Sequence, residues 1–173
     1  MAVITFITGG QRSGKSSFAQ QLAETNSSSP VYLATSRIWD DDFKQRVKRH
    51  QSDRGKQWTT IEEDKHLSAL KLDSKTVLLD CITLWLTNIF YDNQNDVEIS
   101  LNEAKTEWDA LIKQDFNLIV VSNELGMGIH AENELARKFT DLQGWINQYI
   151  ARSAHKVYLM VSGIPVLIKS PDN

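Results

Sequence analysis

Gly9-Gly10-Gln11-Arg12-Ser13-Gly14-Lys15-Ser16 is the stretch that decides how this chain is read. It satisfies G-x-x-x-x-G-K-[ST], a loop whose glycines let the backbone curl with its N–H groups turned inward onto phosphates. In that pattern Lys15 reaches the β- and γ-phosphates and the Ser16 hydroxyl is a ligand for Mg²⁺. Ala2-Val3-Ile4-Thr5-Phe6-Ile7-Thr8 ahead of the loop reads as a buried strand. Ser16-Ser17-Phe18-Ala19-Gln20-Gln21-Leu22-Ala23 behind it reads as the opening of a helix. A strand feeding a helix N-terminus supplies the free N–H groups and the dipole that bind anions. All eight loop residues are therefore expected at a nucleotide.

Outward from the loop, apolar runs rich in β-branched residues recur: Val31-Tyr32-Leu33-Ala34-Thr35, Val77-Leu78-Leu79-Asp80, Leu118-Ile119-Val120-Val121-Ser122 and Val157-Tyr158-Leu159-Met160-Val161. Continuous hydrophobicity marks strands buried on both faces, as in a parallel sheet. Between them, Leu101, Ala104, Trp108, Leu111 and Ile112 form one helical stripe, and Leu135, Phe139, Leu142, Ile146 and Tyr149 another. The alternation predicts an α/β fold: a P-loop nucleotide-binding fold with a mostly parallel central sheet and helices on both faces. Residues 26–30 and 91–96 read as surface loops, and the tail from Ser170 as frayed.

Residues 1–173 are expected to form one domain, large enough for a substantial core. The formal net charge of −3 gives no electrostatic footprint for nucleic acid. Cys81 is the single cysteine, so no intrachain disulfide is possible and a reducing compartment suits the chain. No export pattern precedes the first strand and no apolar run reaches membrane-spanning length. A cytoplasmic protein without membrane insertion is expected.

In open parallel sheets, ligands sit beyond the carboxyl ends of the strands. Thr8, Thr35-Ser36-Arg37, Asp80, Ser122-Asn123-Glu124 and Ser162-Gly163 fall at such ends and are expected around one crevice. Asp80 reads either as the acid that holds Mg²⁺ or as an N-cap of the helix that follows. Trp39-Asp40-Asp41-Asp42-Phe43-Lys44-Gln45-Arg46-Val47-Lys48-Arg49-His50 reads as a helix with acids first and bases last, suiting the macrodipole. Arg46, His50 and Arg54 follow at one-turn spacing, and arginines beside a histidine oppose its protonation. A neutral imidazole is what a nucleophile toward phosphorus requires. A solvated basic helix end explains the same residues, and both readings stand at this point. His66, His130 and His155 have no convincing partner spacing. Trp58, Trp85, Trp108 and Trp145 read as core or interface residues. Gly126-Met127-Gly128-Ile129 is either a glycine-permitted loop or a wall for a large substrate.

Several segments together resemble one family. They are the phosphate loop, Ala34-Thr35-Ser36-Arg37-Ile38-Trp39-Asp40-Asp41, Trp58-Thr59-Thr60-Ile61-Glu62-Glu63 and Leu79-Asp80-Cys81-Ile82-Thr83-Leu84-Trp85-Leu86-Thr87-Asn88. Ser122-Asn123-Glu124-Leu125-Gly126-Met127-Gly128-Ile129, Asp141-Leu142-Gln143-Gly144-Trp145-Ile146-Asn147-Gln148 and Val161-Ser162-Gly163-Ile164-Pro165 complete the match. The chain is similar to the bifunctional adenosylcobinamide kinases/adenosylcobinamide-phosphate guanylyltransferases of bacterial cobalamin assembly. The resemblance implies phosphorylation of adenosylcobinamide by GTP or ATP with Mg²⁺. It then implies attack of a histidine on GTP and passage of GMP to the cobinamide phosphate. The family's histidine falls at His50, with Arg49 where some relatives carry a second histidine. Nucleotide contacts are implied at residues 9–16, at Thr35, Ser36 and Arg37, and at Asp53, Arg54, Glu62 and Asp80. Ser16 and Asp80 are the implied metal ligands, and a homotrimer the implied assembly. Ala131 stands where relatives commonly have proline. Another small-molecule P-loop kinase would leave His50 idle; a non-enzymatic GTP switch would carry an Asn-Lys-x-Asp segment, which the chain lacks.

Overall fold

The computed structural model describes residues 1–37, 55–73 and 75–171. Its elements run β1 (Val3–Gly9), α1 (Lys15–Asn26), β2 (Val31–Ala34), β3 (Thr59–Glu62), a 3₁₀ turn (Leu67–Ala69), β4 (Thr76–Asp80), α2 (Ile82–Asp92), α3 (Val97–Leu111), β5 (Asn117–Asn123), α4 (Glu134–Ser153), β6 (Lys156–Val161) and β7 (Ile164–Lys169). The strands form one sheet in the order β3-β2-β4-β5-β1-β6-β7. Every pairing is parallel except β6 with β7. The expected helix from Trp39 to His50, together with Asp53 and Arg54, lies outside the described residues.

Alternating side chains of the central strands build a core on each face. Ile4, Phe6, Leu33, Val77, Leu79, Leu118 and Val120 pack against α2, α3 and α4 through Trp85, Leu86, Ile89, Trp108, Leu142 and Ile146. Ile7, Tyr32, Leu78, Ile119 and Val121 face the other way, onto Ala19 and Ala23 of α1. Helices on both faces of a mostly parallel sheet are what the continuous apolar runs require. Trp85 and Trp108 are core residues, and the Trp85 indole N–H donates to the Lys65 carbonyl at 3.0 Å. Both later helices start at capping side chains: Asp96 accepts from Ile99 N at 2.8 Å and Asn133 from Ala136 N at 2.7 Å.

Several details differ from the sequence reading. β3 and β7 were not expected. β3 is short and carries the polar pair Thr59-Thr60. β7 contains Pro165, which an edge strand tolerates because its missing N–H can face outward. The two loops are shorter than expected, since Asn26 still belongs to α1 and Tyr91 and Asp92 to α2. Leu135 leaves the α4 stripe: it sits in the first turn of the helix and is half exposed. The buried face of α4 instead includes two amides, Gln143 and Asn147.

Candidate nucleotide-binding site

The phosphate loop leaves β1 through Gly9, whose φ of +153° favours glycine, and enters α1 through Gly14 at φ +92°. A Cβ at Gly9 would lie 2.7 Å from the Met160 carbonyl oxygen and 2.8 Å from Ser13 Oγ. One at Gly14 would lie 3.0 Å from Gly163 Cα. Close neighbours therefore select glycine at position 9, and the left-handed backbone, with a tight contact beside it, selects it at position 14. Two backbone bonds hold it from either side: Glu124 N donates to Gly9 O, and Gly163 N to Ser13 O, both at 2.9 Å. Ser162 and Gly163, expected at the crevice from their place after the fifth run, are the two-residue turn of the β6–β7 hairpin. Both have positive φ, as a tight hairpin turn requires, and that turn backs the loop.

Lys15 is nearly buried, 7 % exposed, and its ammonium donates to Gly10 O at 2.6 Å and to Ser13 Oγ at 3.5 Å. Burial pulls its pKa below the ordinary lysine value, while Cys81 and Asp80 nearby work against that shift. Arg12, Ser13, Gly14, Lys15, Ser16 and Ser17 line a cavity of about 260 Å³. The helix that begins here adds its own free N–H groups to that cavity. An electropositive, backbone-lined cup of this kind binds phosphate anions.

Register places the acid. Asp80 ends β4 opposite Val121, which pairs across β5 with Ile7 of β1, so Asp80 stands two strands from the loop at the same end of the sheet. It is not the cap of α2: that position belongs to Cys81, in extended conformation and without a side-chain cap. The Asp80 carboxylate instead accepts from the Tyr32 hydroxyl at 3.2 Å. Burial, with the Asp80 charge beside it, pushes the Cys81 thiol up to about 12, so Cys81 stays protonated and is no nucleophile. Ser16 and Asp80 offer hard oxygen donors, and among the described residues no three His, Cys, Asp or Glu side chains gather as a metal cluster. That donor set fits Mg²⁺, which takes one or two carboxylates along with water and substrate phosphates.

The remaining sequence-read positions scatter along the strand ends. Thr35 is fully buried; its hydroxyl donates to Cys81 O at 2.8 Å and accepts from Cys81 N at 3.0 Å, tying the end of β2 to the residue after Asp80. Asn88 Nδ2 joins this by donating to Thr35 O at 2.7 Å and Asp64 O at 2.9 Å. The Arg37 guanidinium donates to both Asp92 oxygens at 2.7 and 2.9 Å and to Asp64. Beside Arg37, the Asp92 carboxyl is held down at about 2. Glu62 lies level with Ala34 and Asp80 but on the outermost strand, four strand spacings, or about 19 Å, from β1. The structure thus brings together the loop and Asp80, with Thr35 behind the acid; it leaves Arg37 and Glu62 farther along the edge.

Sequence reasoning missed the buried polar network beneath the end of β5. Ser122 Oγ donates to Asn147 Oδ1 at 2.7 Å, Gln143 Nε2 to both, and Asn147 Nδ2 to Asn123 O at 3.0 Å. Asn123 N in turn donates to Thr83 Oγ1 at 3.1 Å. The signal was present in two amides one turn apart on an apolar helix face. Of the other histidines, His155 is structural: its Nδ1 accepts from Ile4 N at 3.1 Å.

A family model described as cobinamide kinase / cobinamide phosphate guanyltransferase matches residues 5–168. The bifunctional adenosylcobalamin biosynthesis protein CobU of Escherichia coli K12 is 38 % identical, the alignment covering 96 % of this chain and 100 % of that one. Its namesake in Salmonella typhimurium is 37 % identical over the same shares. The bifunctional adenosylcobalamin biosynthesis protein CobP of Pseudomonas aeruginosa is 35 % identical, covering 94 % and 95 %. Among solved structures, the flagellar accessory protein FlaH of Methanocaldococcus jannaschii covers 97 % of this chain at TM-score 0.47 and 15 % identity, a likeness too loose to bear on function.

Proposed function

The chain belongs to the cobinamide kinase / cobinamide phosphate guanyltransferase family, and from that premise we propose that it carries out two reactions at one nucleotide site. In the first, the hydroxyl of adenosylcobinamide attacks the γ-phosphorus of GTP or ATP. The bond to the β–γ bridging oxygen breaks, the nucleoside diphosphate leaves, and the hydroxyl proton passes to solvent. In the second, His50 attacks the α-phosphorus of GTP and pyrophosphate leaves. A phosphate oxygen of adenosylcobinamide phosphate then displaces the histidine, giving adenosylcobinamide-GDP and a free His50. Splitting the transfer through a phosphoramidate divides one difficult displacement into two easier ones.

The observation that supports this reading is the buried Lys15 on its glycine-built cup with Asp80 beside it. Phosphoryl transfer depends mostly on positioning and on charge placed against the transferred group. Residues 9–16 orient the phosphates and Lys15 supplies fixed positive charge. Ser16 and Asp80 are the residues that would hold Mg²⁺, which when bound neutralises charge on the β- and γ-phosphates. Ser36, Arg37, Asp53, Arg54 and Glu62 are proposed as nucleotide contacts, with buried Thr35 holding the strand end behind Asp80. Arg37 reaches a nucleotide only by exchanging a carboxylate partner. The test is product analysis: adenosylcobinamide with GTP or ATP and Mg²⁺ yields its phosphate, and further GTP yields adenosylcobinamide-GDP with pyrophosphate. A chain that makes neither product contradicts the proposal.

Asp80→Asn is expected to raise the Mg²⁺ concentration for half-maximal kinase activity at least tenfold with an unchanged melting temperature. Superimposable metal titrations of variant and parent would remove Asp80 from the metal site.

We also propose a cytoplasmic homotrimer. β7 ends the sheet with Ile164, Val166, Leu167 and Ile168 all exposed, an apolar edge of the kind proteins cover by pairing. Sedimentation equilibrium at micromolar protein should return three times the chain mass, and a monomer there would refute the assembly.

A further inference from the structure

One apolar surface that the nucleotide site does not use starts from the strand beside the phosphate loop. Residues 125–131 leave the end of β5, the strand paired directly with β1, about 4.8 Å away. Glu124, the residue before them, is the one whose N–H holds Gly9 O. On this segment Met127 is 77 % and Ile129 97 % exposed, with Leu125 and Leu135 also open to solvent. Beneath it, Ile129, His130, Arg137, Thr140 and Asp141 help line a cleft of about 260 Å³. The rim is braced: Arg137 Nη1 donates to the carbonyls of Ala131 and Glu132 at 3.0 and 2.6 Å, and Gly126 N donates to Glu124 Oε1 at 2.7 Å.

We propose that residues 125–131 with Arg137, Thr140 and Asp141 form the acceptor platform, taking the edge of a large amide-fringed macrocycle. The proposal rests on the reading that the chain acts on a corrinoid. Three features select that occupant. An acceptor must place its hydroxyl or phosphate at the nucleotide phosphates, and this surface leaves the strand paired with the one that feeds the loop. The cleft is smaller than the roughly 300–1,000 Å³ that encloses a drug-sized ligand, so it seats an arm or an edge while the rest lies across Met127 and Ile129. Its lining mixes donors with a carboxylate acceptor, which suits amide groups that both give and accept hydrogen bonds.

The test uses the full chain with adenosylcobinamide as probe. Ile129→Asp and Thr140→Trp are measured separately, the first at an exposed side chain and the second within the cleft. Each is expected to raise KM for adenosylcobinamide at least tenfold at saturating GTP, with KM for GTP within twofold of the parent and the same mass in sedimentation. A corrinoid KM within twofold of the parent in both variants overturns the platform. So does a tenfold rise confined to GTP, which would assign the surface to the nucleotide, or a change of assembly mass, which would assign it to an interface. A parent chain that consumes no adenosylcobinamide overturns the functional reading, and the platform with it.

Discussion

Lys15→Ala is expected to cut kcat for phosphorylation of adenosylcobinamide by about 10²–10³ or more while leaving the chain folded, as when a single preorganised charge-stabilising group is removed. The size of the effect follows from where the ammonium sits. It is buried on a cup of loop backbone, 2.6 Å from Gly10 O, with Asp80 close enough to favour its charge. Fixed positive charge in a preorganised cup acts on the transferred group without reorganising at the moment of reaction. The fold does not rest on Lys15, because α1 packs on the sheet through Ala19 and Ala23. Circular dichroism and steady-state kinase rates check both halves. Phosphorylation at the parent rate would remove the loop from the catalytic account.

His50→Ala is expected to separate the two activities. Guanylyl transfer is expected to fall by at least about 10³, since a covalent route without its nucleophile has no partial form. Kinase turnover stays within a few-fold, because phosphoryl transfer needs the loop, the lysine and the metal but no adduct on this residue. Parallel assays of adenosylcobinamide phosphate and adenosylcobinamide-GDP read the two rates. Equal loss of both would make His50 part of the shared nucleotide site, not the nucleophile of one half-reaction.

The fold was legible in the sequence wherever burial was continuous. Val77-Leu78-Leu79 and Leu118-Ile119-Val120-Val121 are apolar on both faces, as β-branched-rich runs of strand length in a central parallel sheet are. The edges were not legible. β3 has no run to announce it, and β7 reads as loop until its pairing with β6 is seen. At the site, the eight-residue loop was readable because its geometry favours glycine at fixed places: Gly9, where a Cβ would collide, and Gly14, whose φ is positive. The local sequence of Asp80 fits both a metal ligand and a helix cap. Only the register with β5 and the bond from Tyr32 show it facing the loop end of the sheet and not capping α2. The supports of the site were hidden for a common reason. Thr35 to Cys81, Gln143 to Ser122 and Gly163 to Ser13 all join residues far apart in the chain, and such pairs have no periodicity to betray them.

The most direct measurement is the intact mass of the protein after incubation with GTP and Mg²⁺ in the absence of any corrinoid, followed by peptide mapping. The account predicts one guanylyl group per chain, acid-labile and alkali-stable as a phosphoramidate is, on the peptide that carries His50. An unmodified mass, or a guanylyl group mapped to His66, His130 or His155, would contradict it.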